Sequence, residues 1–183
     1  MKEIADQWQM QLTELGWAFE QTLKDLPPTD FNWKPQPDVW SIAEIVDHLI
    51  RVNHSYFPTF ERILSNKHQK PVLGYVPLLG SKMGDLILGS MKKPDKVKTF
   101  APWEPSGSLL DPRILRDFYE LQHELSAYIQ KLDPYFETNL MISSPLNRWI
   151  VYPLDTVIQI ILAHESRHLA QIKQRITQLP HAQ

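Results

Sequence analysis

The side chains of this sequence that are best suited to chemistry are its histidines, because the chain contains no cysteine. The seven histidines are His48, His54, His68, His123, His164, His168 and His181. Without cysteine there are no disulfides, thiolate metal sites, cysteine nucleophiles or iron–sulfur clusters. Any bound metal ion must therefore take nitrogen and oxygen ligands, and neutral imidazole suits zinc, nickel, copper or iron.

Two of these histidines have the spacing that lets a helix present both to one ion. His164 and His168 begin and end the segment HESRH, which has the form H-E-x-x-H. Residues four apart lie on one helix face, about 6 Å apart, so both rings can reach the same ion. A chain with seven histidines produces such a pair by chance quite often, so the spacing alone is weak evidence.

The placement of three histidines strengthens the case. His164 and His168 interrupt the apolar stripe of a predicted helix at the end of the chain, and His48 interrupts the stripe of an earlier one. Rings buried without partners cost free energy, so these three must find hydrogen bonds or a shared ion. The sequence leaves both readings open: core histidines bonded to carboxylates or carbonyls, or a three-histidine metal site.

The same motif occurs in zinc metallopeptidases, where its glutamate, here Glu165, is the general base. The sequence disfavours a peptidase, since Gln171 and Gln174 stand where the metzincin extension needs glycine and histidine. A third ligand must come from upstream of the motif, and His48 is the natural candidate. Glu165 remains a candidate catalytic residue, a group that supports a ligand, or a solvent-facing side chain.

Apolar residues that recur every three or four positions predict the elements that carry these side chains. Four long amphipathic helices are expected, over about 2–25, 41–63, 112–133 and 154–178. No convincing strand pattern is present. We therefore predict an all-α four-helix bundle that forms one domain over 1–183, with a long connection at 66–110 that includes a short helix near 78–90.

Individual residues mark where these helices begin and end. Ser41 and Glu44 form a Ser-x-x-Glu capping box at the start of the second helix, and Pro58 is expected to kink or end it. Asp111 is expected to cap the third helix, which should end before Pro134. Glu44 is also four residues before His48 and could orient its ring, although capping is the stronger interpretation.

Composition and charge narrow the class of protein. The chain has 183 residues, 43% of them hydrophobic and 22% charged, with a net charge of −2. These values are typical of a globular chain, and the net charge lacks the basic excess that is typical of nucleic-acid or membrane-surface binding. Glu3 and Asp6 occupy positions where a signal peptide would be apolar. We expect a cytoplasmic protein with a small-molecule substrate and no nucleic-acid or membrane partner.

Two segments together resemble a known family. NWKPQPDVWSIAEIVDHL (32–49) and IILAHESRHLAQIKQ (160–174) are similar to the DinB-like, or YfiT-like, superfamily of metal-binding four-helix bundles, and KTFAPWEPSG (98–107) extends the resemblance. The resemblance implies a divalent ion held by one histidine of the second helix and two of the fourth. Carried over to this sequence, these are His48, His164 and His168, with one or more positions open for substrate.

The resemblance also implies an activity. Characterised relatives include metal-dependent transferases of low-molecular-weight thiols such as bacillithiol and a mycothiol-dependent isomerase, and some members are assigned as hydrolases. We therefore expect zinc or nickel as the metal, a low-molecular-weight thiol as co-substrate and a homodimer. A metal-dependent hydrolase and a non-enzymatic metal-binding or stress-response module remain the alternatives.

The remaining candidates have more ordinary explanations. His123 falls off its helix stripe and is expected at the surface. Arg167 could hold an anionic substrate, but a solvated or ion-paired arginine is the stronger interpretation. Trp103 and Trp149 could line a pocket mouth or pack under the connections. A run of lysines could attract an acidic cofactor, although a solvated loop is favoured; they are Lys92, Lys93, Lys96 and Lys98.

Overall fold

A computed structural model describes residues 2–76, 78–91, 99–107 and 109–180. Within these ranges the chain forms helices for most of its length, together with two short strands and two 3₁₀ turns. In chain order the elements are α1 (Lys2–Leu23), α2 (Pro28–Phe31), α3 (Ile42–His54), α4 (Phe57–Leu64), a 3₁₀ turn (Val72–Tyr75), α5 (Leu79–Met91), a 3₁₀ turn (Ala101–Trp103), α6 (Ile114–Phe136), β1 (Met141–Ser143), β2 (Val151–Pro153) and α7 (Leu154–Ile176).

Four of these helices, α1, α3, α6 and α7, make a bundle. Both α1 and α3 pack against α6 and α7, and the short helix α4 extends α3 along α6. The predicted helical bundle is therefore confirmed. Among the described helices, none is both long enough and apolar enough to cross a membrane.

The core of the bundle divides into two apolar clusters, one toward each end. The first joins the amino-terminal halves of α1 and α7 to α4 and the carboxyl-terminal half of α6. The second joins the carboxyl-terminal halves of α1 and α7 to the amino-terminal halves of α3 and α6. The neighbours α3 and α6 therefore run in the same direction. Since α4 ends at one end of the bundle and α6 begins at the other, the chain needs the long 66–110 connection.

The second predicted helix is divided at its proline. The capping box is present, with the Ser41 backbone N–H donating to Glu44 Oε2 at 2.7 Å and the Glu44 backbone N–H donating to Ser41 Oγ at 3.1 Å. The helix ends at His54, and α4 then starts at Phe57 with Pro58 in its first turn. Proline is tolerated in the first turn, where its missing N–H has no intrahelical partner.

Three expectations about the elements are wrong. β1 and β2 form an antiparallel pair, with Ile142 opposite Tyr152, although no strand was expected. Strands of three residues are too short for alternation to show in a sequence. The helix α6 begins at Ile114 rather than Pro112, because the residues from Asp111 onward form a tighter turn, in which the N–H of Ile114 and that of Leu115 bind carbonyls only three residues earlier.

The helix α6 also continues through Pro134 to Phe136. A proline removes one backbone hydrogen bond, and this loss is tolerable in the last turn of a helix that packs along its whole length. The short helix expected near 78–90 is confirmed as α5, which packs on β2 and α7.

We predict opposite effects for two Gly→Ala substitutions in α5. A Cβ atom at the buried Gly84 would lie 2.7 Å from Thr156 Cγ2 on α7, and a β-branched side chain cannot easily move away. Gly84→Ala should therefore lower the free energy of unfolding by about 1–3 kcal/mol. Gly89→Ala is the matched control, because a Cβ there meets nothing within 4 Å. It should raise the free energy of unfolding by up to about 1 kcal/mol.

Urea unfolding followed by circular dichroism measures both changes. Equal effects of the two substitutions would contradict the close packing of α5 on α7.

Candidate metal centre

The three histidines selected from the sequence come together in the bundle. His48 lies on α3, and His164 and His168 lie one turn apart on α7. The Nε2 atom of His164 is 3.1 Å from Nε2 of His48 and 3.0 Å from Nε2 of His168. One ligand atom from each ring lies within 4.8 Å of the other two. Nitrogens that share one ion at about 2.0–2.1 Å lie at most about 4.2 Å apart, and both distances from His164 Nε2 are well within this limit, so the donor set fits a metal ion.

Burial favours the neutral form of all three rings. His48 is 4% exposed and His168 is 6% exposed, whereas His164 is half-buried at the edge of the core. Burial lowers the pKa of His48, although the hydrogen bond to Trp103 opposes this effect. Burial, together with the neighbouring His48, lowers the pKa of His168 to about 3. The pKa of His164 falls well below its usual value, because of burial and the charges of the other two histidines.

The protons of the cluster cannot satisfy all of its nitrogen contacts. Nδ1 of His48 lies 2.7 Å from the carbonyl oxygen of Trp103 and must carry the proton, because a carbonyl only accepts. Nε2 of the neutral His48 ring is then a bare acceptor. A proton on Nε2 of His164 can point well at His48 or at His168, but not at both. A cation shared by the three nitrogens would satisfy every contact at once.

Tryptophans of two segments enclose the His48 ring. Trp40 directly precedes Ser41, the capping residue of α3, and its ring centroid lies 5.0 Å from that of His48. Trp103 contributes its backbone carbonyl and packs its half-buried side chain against the first apolar cluster. The partner of His48 is therefore Trp103, and the alternative role of Glu44 receives no support. Both Glu44 carboxylate oxygens are engaged, one by the Ser41 backbone and one by Lys34 at 2.9 Å.

Glu165 points away from solvent, into the middle of the core. Its Oε1 accepts hydrogen bonds from Asn53 Nδ2 at 2.7 Å and from Gln122 Nε2 at 2.8 Å. One residue along a helix turns the side chain by roughly 100°, which explains why Glu165 and His164 face different neighbours. The solvent-facing interpretation of Glu165 is wrong. Burial raises its pKa to about 7, although its two amide hydrogen bonds lower it.

Asn53 and Gln122, the partners of Glu165, are not among the residues predicted from the sequence. Both are buried polar residues, on α3 and α6, that stand beside the apolar positions Val52 and Leu121. The signal in the sequence that could have identified Asn53 and Gln122 is a polar amide beside a core position on each of two helices. Together with Glu165 and the histidines, they form a polar layer between the two apolar clusters.

The other candidates lie outside this cluster. His123 is exposed on α6, as predicted. Trp149 is 55% exposed, so it does not pack under its connection, and the Arg148 guanidinium lies over its ring. Arg167 is half-buried beside the cluster and donates to the Ser90 carbonyl at 3.3 Å. The whole lysine run lies outside the described residues, as does His181; the run consists of Lys92, Lys93, Lys96 and Lys98.

The fold and this site define a helical-bundle protein with a buried cluster of three histidines close enough to bind a metal ion. The model of the DinB superfamily matches residues 11–172, so the chain belongs to this family. No curated protein and no solved structure matches the chain significantly. The family suspected from the two histidine segments is thus confirmed.

We predict that Glu165→Gln stabilises the metal-free protein, and more so at high pH. The folded pKa of about 7 lies above the usual 4.5, so Glu165 weakens the folded state as pH rises from about 4.5 to 7. Each pKa unit corresponds to about 1.4 kcal/mol, which gives a total of about 3 kcal/mol. The difference in free energy of unfolding between variant and wild type should therefore grow by about 2–3 kcal/mol between pH 5 and pH 8.

Urea unfolding of both proteins at several pH values measures this difference. The contributions of the other titrating groups to the free energy of unfolding are the same in both proteins and cancel when the two values are subtracted. A difference that does not change with pH would contradict the buried carboxylate.

Proposed function

We propose that His48, His164 and His168 hold one divalent metal ion, with zinc or nickel favoured. The observation that carries the proposal is the convergence of three Nε2 atoms that no arrangement of protons satisfies. The lowered pKa values of the three rings also support it, because an imidazole must be neutral to bind a metal. Membership of the DinB superfamily also supports it, because the family resemblance implies this ligand set.

Three neutral ligands leave the positive charge of the ion uncompensated. An ion held in this way supplies Lewis acidity, which lowers the pKa of a thiol or of water in its remaining position. His48 and His168 face the core, so the half-buried His164 marks the side from which a small molecule would enter. The positive charge of Arg167 lowers the pKa values of His164 and His168, and it would equally favour an anionic sulfur beside them.

We further propose that the protein is a transferase that uses a low-molecular-weight thiol. The sulfur would form a bond to an electrophilic carbon of a small molecule, its proton would leave to solvent, and a leaving group would depart. The family resemblance favours the thiol over water. The general-base role of Glu165 stays a prediction; two amide donors already bind its Oε1 inside the core.

The ligand assignment predicts which substitutions abolish metal binding. His48→Ala, His164→Ala and His168→Ala should each reduce the zinc content of reconstituted protein from about one ion per chain to nearly none, because two imidazoles bind far more weakly than three. His123→Ala is the control, since its exposed ring on α6 lies outside the cluster. It should keep the wild-type zinc content.

Elemental analysis after reconstitution and dialysis gives these contents. A wild type that retains neither zinc nor nickel would contradict the metal site. Retention of metal by all three variants would contradict the assignment of the ligands.

The choice of reaction is tested by adding thiols to the metal-loaded protein with a panel of electrophiles. A transferase turns over only when a thiol is present and produces a thioether. Turnover with water alone would identify a hydrolase, and an ion that resists exchange and whose removal unfolds the chain would identify a structural role. The homodimer and the extent of the domain over 1–183 stay predictions, which sedimentation and limited proteolysis test.

A further inference from the structure

The backbone carbonyl that fixes the His48 ring belongs to a connection, not to a bundle helix. Trp103 ends the 3₁₀ turn Ala101–Trp103 within the long segment between α5 and α6. A carbonyl in a connection has no neighbouring helical turns to hold it in place. The position of His48 therefore depends on what fastens this segment to α3.

Two hydrogen bonds hold the segment against α3. Their partners on the α3 side lie before and after His48 in the chain. The indole Nε1 of Trp103 donates to Ser55 Oγ at 3.2 Å, at the carboxyl end of α3. The backbone N–H of Ser106 donates to Asp47 Oδ2 at 2.5 Å, one residue before His48. Ser55 is itself fixed, because its hydroxyl donates to the Val52 carbonyl at 2.5 Å.

We propose that Trp103 is a positioning residue for the metal centre, acting through His48. Its indole anchors the turn to Ser55, and the anchored carbonyl holds the proton of His48 on Nδ1. Nε2 of His48 is thereby kept free of a proton and directed at His164 and His168. The effect on metal binding rests on the proposed metal site, but the position of the proton does not.

The side chain and the backbone of Trp103 have different tasks in this arrangement. The carbonyl is present in every variant, so a substitution acts only through the lost anchor. Trp103→Ala removes both the packing and the indole N–H, and Trp103→Phe removes the N–H and part of the ring. Ser55→Ala keeps the tryptophan and removes the hydroxyl that accepts from it, together with the bond of that hydroxyl to the Val52 carbonyl. The three variants form a series of decreasing severity. Trp149→Ala is the control, because Trp149 is an exposed tryptophan in the other connection.

The first measurement is a long-range ¹H–¹⁵N spectrum of the histidine rings in the metal-free protein. In wild type we expect the Nδ1 atom of His48 to be protonated and its Nε2 atom to be bare. Trp103→Ala should give a mixture of the two tautomers, and Trp149→Ala should not differ from wild type. A purely structural role for Trp103 would lower stability without moving this proton.

The second measurement is zinc affinity, by competition with a chromophoric chelator. Loss of a group that orients a metal-binding histidine typically weakens binding by about 10- to 100-fold, and because Trp103→Ala keeps the carbonyl and loses only its anchor, we expect the lower end of this range, about 10-fold. Trp103→Phe and Ser55→Ala should weaken binding less, in the same direction. If Trp103→Ala does not fold, the tautomer and the zinc affinity of these two milder variants test the positioning role of Trp103. Wild-type tautomer and wild-type zinc affinity in every folded variant would overturn the proposal.

The two proposals fail differently. A wild type that binds no zinc contradicts the proposed metal site, whereas the proton position in metal-free protein still supports or overturns the role of Trp103. Conversely, a wild type that binds zinc with an Nδ1 proton that does not depend on Trp103 overturns only the positioning.

Discussion

The constraint on which the structure depends is the burial of a polar layer between two apolar clusters. This layer consists of His48, Asn53, Gln122, His164, Glu165 and His168. Buried polar groups cost free energy unless they are bonded, so each must have a partner in the bundle. The helix α7 resolves this by turning His164 and His168 toward α3 and turning Glu165 toward two amides. The amides satisfy one oxygen of Glu165, and a cation shared by the three imidazole nitrogens would satisfy their contacts together.

The direction of the helices connects this layer to the rest of the chain. Since α3 and α6 are neighbours that run in the same direction, the chain must travel the length of the bundle between them. That path lays the turn at Trp103 along α3, where its carbonyl meets His48. The long connection therefore contributes to the site as well as joining two helices. A two-residue turn between antiparallel helices could not have supplied this contact.

The sequence predicts the bundle and the three histidines because both leave a periodic pattern. His48 interrupts the apolar stripe of α3, and the spacing of His164 and His168 is visible in a single motif. The partner of His48 was missed because it is a backbone carbonyl, which residue type does not reveal. Asn53 and Gln122 were missed because the apolar periodicity that predicts the helices does not distinguish buried polar residues beside the stripe from exposed ones. The hairpin was missed because three-residue strands are shorter than any detectable alternation.

The most direct test of the metal centre is the X-ray absorption spectrum of the zinc-reconstituted protein. Three imidazole nitrogens at about 2.0–2.1 Å from zinc, with the remaining position filled by a light atom from solvent, is the result that we predict. The multiple-scattering signal of the rings counts the histidines independently of any substitution. A spectrum with fewer than three imidazoles, or with oxygen ligands alone, would contradict the site built from His48, His164 and His168.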